Sequence, residues 1–224
     1  MTEADRIVSA YRRPRNVSQW DAGNPGNQAI LAERRALTRR LLPKLEGKRI
    51  LEVGSGHGSE LAWMVELGAS RANLVGVDLL PERVEAARAA HPDIDFRVAN
   101  GEHLDFPDAS FDLVMAFTLF TSILDPKMAA RVAAEMRRAL KPGGGLLWYD
   151  FRYDNPFNRH VRGVNEAEAR RLFPGFTGEL RSLTLIPQVA RRLGPLTAAA
   201  YPRLAAVPPL RSHLLGLLTK PDAV

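Results

Sequence analysis

Three glycines and an aspartate lie at spacings that suit a nucleoside-binding site. Gly54, Gly56 and Gly58 follow an apolar run, at a place where a chain that turns sharply beside a ligand has no room for side chains. Asp78 ends the next apolar run, and a carboxylate there can accept hydrogen bonds from both hydroxyls of a ribose. We therefore predict a nucleoside-containing ligand at the carboxyl ends of two parallel strands.

The spacing of the glycines narrows the class of ligand. It is G-x-G-x-G rather than the G-x-G-x-x-G of dinucleotide-binding folds, which argues against a nicotinamide-dependent oxidoreductase. The lysine of a phosphate-binding P-loop is also missing. Glu52 stands two residues before the first glycine, and an acidic group suits a cationic sulfonium ligand with a free amino group better than it suits a pyrophosphate.

Several segments, in order, resemble one enzyme family. Glu52–Gly58 and Asp78 resemble the first motif and the ribose-binding acid of class I S-adenosylmethionine-dependent methyltransferases. Asn100–Leu104 and Phe106–Val114 resemble the adenine-side loop and the fourth strand of that family, and Leu140–Gly144 resembles its turn before strand five.

The resemblance covers roughly residues 48 to 150 and implies a cofactor and its binding residues. The cofactor would be S-adenosylmethionine, with S-adenosylhomocysteine as the product, and we expect no metal ion. Asn100 stands where the family often has Asp, but its side-chain carbonyl can accept the same hydrogen bond from adenine. The implied cofactor-binding residues are Glu52, Gly54, Ser55, Gly56, Gly58, Asp78, Leu79, Asn100, Gly101, Glu102 and Phe117.

The acceptor side is predicted from position and composition. Methyl transfer from a sulfonium is an in-line displacement, which needs alignment in a dry pocket more than a fixed set of catalytic groups. Residues 149–162 are rich in aromatic, amide and cationic side chains and follow the fifth predicted strand, where such sheets bind ligands. They suit a polar or anionic acceptor, although asparagine turns and surface arginines explain the same composition. The predicted acceptor-side residues are Tyr11, Trp20, Phe120, Tyr149, Arg152, Asn155 and Arg162.

A general base is needed only if the acceptor loses a proton. His160, His103 and Asp150 are the candidates, and an imidazole titrates near neutral pH. An ordinary surface histidine explains His160 as well. Tyr11 and Trp20 would either close over the cofactor or anchor the N-terminal segment.

The elements that must position these residues alternate between strand and helix patterns. This alternation predicts an α/β fold of mostly parallel strands with right-handed crossovers. The resemblance implies a Rossmann-like three-layer sandwich with strand order 3-2-1-4-5-7-6 and strand seven antiparallel. We predict strands over 49–53, 73–78, 94–98, 111–117, 145–150, 179–186 and 210–219, and helices over 59–67, 81–90 and from 126 to the turn at 141–144.

The flanking segments are predicted in less detail. Residues 24–27 suggest a turn, and the apolar residues between Ile30 and Leu41 suggest an amphipathic helix. Five prolines break 187–209 into short helices, which would form a lid or a dimer face. We expect one methyltransferase domain over 1–224, with an N-terminal helical segment (1–47), a cofactor-binding core (48–150) and an acceptor-side region (151–224).

Composition limits the class of protein. The 224 residues are 46% hydrophobic, which is enough for one sizeable core. The absence of cysteine excludes disulfides, a thiolate nucleophile and cysteine-ligated metal. The N-terminus lacks the apolar core of a secretion signal, and no apolar run is long enough for a membrane span, so we expect a cytoplasmic protein.

The net charge of +6 arises in the C-terminal third, since residues 180–221 hold six cations and no acid. An RNA methyltransferase or a protein that docks on anionic lipid would use such a surface. Aromatic residues do not interleave with the cations, and Ala116–Leu119 stands where base methyltransferases carry Asn/Asp-Pro-Pro-aromatic, so nucleic acid is disfavoured. The preferred prediction is a methyltransferase for a small-molecule acceptor, and an anionic or lipid-linked molecule is one such acceptor. A non-catalytic nucleoside-binding regulator and the oligomeric state stay open.

Overall fold

The computed structural model describes residues 2–13, 21–155 and 158–222. One seven-stranded sheet has the order β3-β2-β1-β4-β5-β7-β6, and β7 alone runs antiparallel to its neighbours. This confirms the predicted fold class and strand order. The strands are β1 (Ile50–Val53), β2 (Leu74–Asp78), β3 (Asp95–Val98), β4 (Phe111–Phe117), β5 (Leu140–Phe151), β6 (Leu180–Leu185) and β7 (Arg211–Thr219).

Helices cover both faces of the sheet, so the molecule has three layers. One buried cluster joins the sheet to α1, α5 and α6, and a second joins its other face to α2, α3 and α4. A smaller cluster packs α7 and α8 against α2. The helices are α1 (Glu3–Arg12), α2 (Pro25–Leu41), α3 (Ser59–Glu66), α4 (Pro81–Ala90), α5 (Pro126–Ala139), α6 (Glu166–Leu172), α7 (Pro187–Arg192) and α8 (Thr197–Ala205).

Helix α5 shows how local sequence sets an element. The side chain of Asp125 caps its first turn by accepting from the backbone N–H groups of Lys127 and Met128. Pro126 occupies the first helical position, where no N–H is needed. Apolar residues spaced by four then place one face of the helix in the core, as predicted.

Two predicted boundaries are corrected by the structure. β5 begins at Leu140 instead of 145, because Leu140 pairs with Phe111 and Gly145 with Leu113, so that the intervening residues form a bulge. Residues 24–27 are the start of α2 and not a separate turn, since the Asn24 side chain accepts from the N–H groups of Gly26 and Asn27. Helices α1 and α6 were not predicted.

The proline-rich segment forms short helices, as predicted, and packs closely on α2. A Cβ on Gly26 would lie 2.2 Å from the carbonyl oxygen of Ala190, so only glycine allows α7 to approach α2 at this point. Through the described ranges of the chain, we find no helix with the length and apolarity needed to cross a bilayer.

Candidate functional site

The glycine loop is fastened to the neighbouring strand. The N–H groups of Gly54 and Ser55 both donate to the carbonyl oxygen of Val77, at 2.8 and 2.9 Å. Gly54, Gly56 and Gly58 all have positive φ, at 79°, 53° and 80°. The loop between β1 and α3 therefore adopts a left-handed backbone conformation that favours glycine at all three positions.

Asp78 connects the loops that follow β1 and β2. Its Oδ2 accepts from the N–H of Gly56 at 2.8 Å, and its Oδ1 accepts from the N–H of Leu80 at 2.9 Å. The side chain is 5% exposed and borders a cavity. The carboxylate therefore fixes the shape of the loop and also presents negative charge to that cavity.

The first cavity, of about 110 Å³, lies at the carboxyl ends of β1, β2 and β4. Helix α1 forms one side of it with Ile7 and Tyr11. Tyr11 is held by a 2.6 Å hydrogen bond between its hydroxyl and Ser122 Oγ, and the guanidinium of Arg83 lies 4.1 Å from its ring centroid. The remaining wall includes Gly54, Asp78, Leu79, Asn100, Gly101, Phe117, Thr118 and Met128.

The second cavity, of about 440 Å³, lies between α2, α7 and the ends of β5 and β7. Apolar groups dominate its wall, with arginines at several points. Thr118 borders both cavities, so the two spaces adjoin at the end of β4. The second cavity is lined by Ile30, Leu31, Arg34, Arg35, Glu60, Thr118, Tyr149, Phe151, Arg191 and His213, among others.

A buried acidic pair with one arginine lies beside the glycine loop. Arg34 forms an ion pair with Glu60, and its guanidinium lies 5.2 Å from the Phe117 ring and 5.1 Å from the Tyr149 ring. Glu52 is 2% exposed, and its Oε2 has no hydrogen-bond partner among the described residues. Burial, with the negative charge of Glu60, raises the pKa of Glu52 well above its usual value.

His213 is the histidine of the second cavity. Its Nδ1 lies 2.8 Å from Ser212 Oγ, and the residue is 3% exposed. Burial, together with the positive charge of Arg34, lowers its pKa to about 3. The imidazole is therefore neutral and can exchange a hydrogen bond with a polar atom in the cavity.

Comparison with known proteins decides the family. Residues 50–144 match the family model described as "Methyltransferase domain". The matched residues form a methyltransferase domain of the class I S-adenosylmethionine-dependent type. The matched range includes the glycine loop, Asp78 and the Asn100 loop, which confirms the resemblance found in the sequence.

Named relatives and a solved structure agree with this family. The chain is 36% identical over 114 residues to phthiotriol/phenolphthiotriol dimycocerosates methyltransferase 1 of Mycobacterium ulcerans, covering 50% of this chain and 41% of that protein. It is 34% identical over 161 residues to fatty-acid O-methyltransferase of Mycolicibacterium smegmatis, covering 67% and 57%. The chain thus spans about half the length of these relatives. A crystal structure of an S-adenosylmethionine-dependent methyltransferase from Mesorhizobium loti shares the fold, with a TM-score of 0.62, 24% identity, and 88% and 99% coverage.

The residues present fit the cofactor of this methyltransferase family. The orphaned Oε2 of Glu52 is a buried acceptor beside the loop, and Asp78 offers a carboxylate to the first cavity. The wall beside Gly101 is close, because a Cβ there would lie 3.2 Å from Val53. Asp78 would hold ribose hydroxyls, and Glu52 would offset the cationic end of the cofactor.

Six of the predicted cofactor residues border the first cavity, namely Gly54, Asp78, Leu79, Asn100, Gly101 and Phe117. The other five line neither cavity. Glu102 holds the side-chain amide of Asn100 through two hydrogen bonds. Asn100 Nδ2 donates to the Glu102 carboxylate at 3.0 Å, and the backbone N–H of Glu102 donates to Asn100 Oδ1 at 3.1 Å. The remaining four are Glu52, Ser55, Gly56 and Gly58, which belong to β1 and the glycine loop.

The predicted acceptor-side residues are dispersed. Tyr149 borders the second cavity and Tyr11 the first. Phe120 is instead a core residue stacked on Trp148, with 4.9 Å between ring centroids. Arg162, Arg152 and Asn155 line neither cavity. Arg162 pairs with Glu168 and donates to the Ile123 carbonyl, Arg152 lies over the Tyr153 ring, and Asn155 is partly exposed. Trp20 lies outside the described residues.

The three predicted bases also lie outside the walls of both cavities. Asp150 is buried, and its carboxylate accepts from the N–H groups of Thr121 and Phe151 at 3.1 and 2.9 Å. His103 is exposed, and His160 Nε2 lies 2.9 Å from a guanidinium nitrogen of Arg13. The structure therefore brings none of the three side chains to the wall of either cavity, and a catalytic role for any of them stays a prediction.

Sequence reasoning missed His213, Arg34, Glu60 and Thr118. His213 follows Arg211 and Ser212 at the start of a strand that is otherwise mostly apolar, and this position alone gave no sign of a binding role. Glu60 and Arg34 sit on helices that carry several other charged residues, so nothing in the sequence pattern separates them. A positive φ of 51° at Thr118, a residue type that rarely adopts it, can be seen only in the structure.

Proposed function

We propose that this chain transfers a methyl group from S-adenosylmethionine to an apolar small molecule held in the second cavity. The observation that carries the proposal is the position of Thr118, which borders both cavities. A ligand in each cavity would therefore meet at one residue, at the carboxyl edge of the sheet where such folds bind ligands.

The bound cofactor supplies a methyl group whose bond to sulfur breaks, with the electron pair left on sulfur, as a lone pair of the acceptor forms the new bond. The protein positions the reactants and excludes water. The turn at Thr118 is fixed by its N–H, which donates to the Tyr149 carbonyl at 2.7 Å, and by its Oγ1, which donates to the Phe117 carbonyl at 2.8 Å. A backbone held in this way keeps the shared wall rigid.

The wall of the second cavity supports an apolar acceptor with a polar reacting atom. Ile30, Leu31 and Phe151 offer apolar surface. His213 offers one neutral polar group, which would hydrogen-bond the reacting atom. A relative named for a fatty acid is consistent with this class of acceptor.

The basic C-terminal third does not favour the RNA alternative. Arg181 pairs with Glu179, Arg211 donates to the Ala205 carbonyl, and Lys220 donates to two carbonyl oxygens of α5 and β5. Arg203 donates to the Ala199 carbonyl at 3.2 Å, so four of the six cations are engaged within the protein. The cytoplasmic location and the division of the chain into three regions stay predictions.

The proposal is tested in two steps. Calorimetry should show S-adenosylmethionine and S-adenosylhomocysteine binding where NADH does not. Cofactor with a tritium-labelled methyl group should then label members of a panel of apolar alcohols, amines and carboxylic acids. No binding of either methionine derivative, or no labelled product from the panel, would contradict the proposal.

Two tryptophan substitutions locate the acceptor. Leu31 borders the second cavity at 38% exposure, so Leu31→Trp should fill that space without disturbing the core. We expect it to lower labelled product by at least roughly tenfold, about 1.4 kcal/mol, with unchanged S-adenosylhomocysteine affinity. Leu196→Trp is the control, because Leu196 is 67% exposed and lines neither cavity. Equal effects of the two variants would place the acceptor elsewhere.

A further inference from the structure

The second cavity follows one face of α2. Asn27, Ile30 and Arg34 border it at successive turns, as do Gln28, Leu31 and Arg35. At a rise of about 1.5 Å per residue, the face from position 27 to 35 is about 12 Å long. An occupant that fills this space is therefore elongated, with two ends in different surroundings.

The inner end lies beside Thr118, which also borders the first cavity, and Arg34 there has a counter-charge. Arg34 there is paired with Glu60 and lies against the rings of Phe117 and Tyr149. Thr118 belongs to the same end, since its N–H donates to the Tyr149 carbonyl. Under the proposed function this is the end at which the methyl group arrives.

The outer end is formed where α7 meets the start of α2. The backbone carbonyl of Arg191 accepts from Asn24 Nδ2 at 3.2 Å, and the chain at 190–191 lies against Gly26. Arg191 borders the cavity at this end, together with Asn27 and Pro187.

Arg191 has a positive charge without a counter-charge. Among the residues that the structure describes, no carboxylate pairs with its guanidinium and no hydrogen bond from that group is present. Burial, with Arg192 as its neighbour, lowers its pKa. A guanidinium nevertheless stays charged in proteins, and removing it partly from water without a partner is unfavourable. Arg35, which also borders the cavity, has an unpartnered Nε.

We propose that the acceptor carries an acidic head group, a carboxylate or a phosphate monoester, which pairs with Arg191 at the outer end of the second cavity while the opposite end of the molecule faces Thr118. This inference rests on the proposed function for the identity of the inner end. Guanidinium binds both kinds of anion through two parallel hydrogen bonds, which makes Arg191 a directional anchor. The apolar face of α2 then holds the chain between the two ends.

The test compares three probes of one chain length by calorimetry in saturating S-adenosylhomocysteine: decanoate, decyl phosphate and decanol. We expect at least one acid to bind wild type roughly tenfold or more tightly than decanol, as charge-assisted hydrogen bonds of about 1.5–3 kcal/mol require. Arg191→Gln should abolish that preference and leave decanol affinity unchanged. Arg192→Gln is the matched control, because Arg192 is the exposed neighbour and does not border the cavity.

Several outcomes would overturn the inference. These are equal affinity for acids and decanol, the same loss in Arg192→Gln as in Arg191→Gln, and no binding of any probe. Formation of methyl decanoate would also overturn it, since the carboxylate would then lie at the inner end. The two acids distinguish a carboxylate from a phosphate head group.

The inference and the proposed function fail separately. If S-adenosylhomocysteine does not bind but Arg191 still selects acids, the acid site stands and the methyltransferase proposal fails. If the cofactor binds and apolar compounds are labelled without any effect of Arg191→Gln, the methyltransferase proposal stands and the acid site fails.

Discussion

The imidazole of His213 lies parallel to the phenol ring of Tyr149, with 4.6 Å between ring centroids and 2° between planes. Tyr149 in turn donates to or accepts from Thr184 Oγ1 at 3.1 Å, and its pKa is raised to about 12 by burial. The stack places one neutral histidine and one neutral phenol side by side at the second cavity. Burial, together with the nearby positive charge of Arg34, makes protonation of His213 unfavourable.

The pKa of His213 predicts how stability depends on pH. Between the unfolded value of about 6.5 and the folded value of about 3, the unfolded chain binds a proton that the folded chain does not. The free energy of unfolding therefore falls as pH decreases through this window, by up to about 1.4 kcal/mol per pH unit. In His213→Phe, we expect the free energy of unfolding measured in urea to decrease less than that of wild type over the same pH window. Tyr149→Phe, which keeps the imidazole, should behave like wild type, and an unchanged slope in His213→Phe would contradict the prediction.

Asp150 contributes the opposite slope. Burial raises its pKa from 3.8 to about 7, so between these values the folded chain binds a proton that the unfolded chain has lost. Its contribution to the free energy of unfolding therefore decreases as pH rises. For Asp150→Asn, we expect the free energy of unfolding of the variant, relative to that of wild type, to increase as pH rises from about 4 to about 7. The variant also loses hydrogen bonds of the carboxylate, which changes its free energy of unfolding by the same amount at every pH. A difference between variant and wild type that does not vary with pH across this window would therefore refute the expected titration.

Much of the sheet could be predicted because its signals are local. The apolar runs that became β1, β2 and β4 are continuous, as strands covered on both faces require, and turn residues bound them. Asp125-Pro126 marked the start of α5 for the same local reason. Helix α1 was missed because it is a short polar segment with only two buried residues, Ile7 and Ala10, and its position depends on contacts such as that between Tyr11 and Ser122.

The cofactor side was predicted better than the acceptor side. Asp78 and the glycine loop lie at the ends of two strands that are consecutive in sequence and neighbours in the sheet. Their closeness could therefore be predicted from the order of the strands along the chain. The wall of the second cavity comes from α2, α7 and β7, which lie far apart in sequence, and nothing local relates Arg34 to His213. The loop after β5 has the composition of a binding site, but Arg162 there pairs with Glu168 and supports the chain. Composition alone does not reveal such a partner.

The double role of Asp78 predicts a selective loss of cofactor binding in Asp78→Asn. An asparagine has one acceptor oxygen in place of two, so it cannot accept from both Gly56 and Leu80. We expect the affinity for S-adenosylhomocysteine, measured by calorimetry, to fall by roughly tenfold or more.

The control for this variant is Asp112→Asn. Asp112 also accepts from a backbone N–H, that of Arg49 at 2.9 Å, and pairs with Lys141, but it lies at the start of β4, at the other edge of the sheet. Its replacement should lower the midpoint of urea unfolding and leave cofactor affinity unchanged. Comparable losses of affinity in both variants would mean that general destabilisation, and not the position of Asp78, weakens binding.

Gly58 and Gly47 separate backbone strain from a steric clash. Both have positive φ, at 80° and 69°, but a Cβ on Gly58 would lie 2.5 Å from Phe96 Cζ, whereas nothing lies within 4 Å of one on Gly47. We expect Gly47→Ala to lower the free energy of unfolding by about 1 kcal/mol, from strain alone. Gly58→Ala should lower it by about 1–3 kcal/mol more, because the buried Phe96 ring must move. Phe96→Leu removes the atoms that clash, so in a double-mutant cycle it should recover part of that additional loss. A coupling free energy of zero between positions 58 and 96 would mean that strain alone requires glycine at the start of α3.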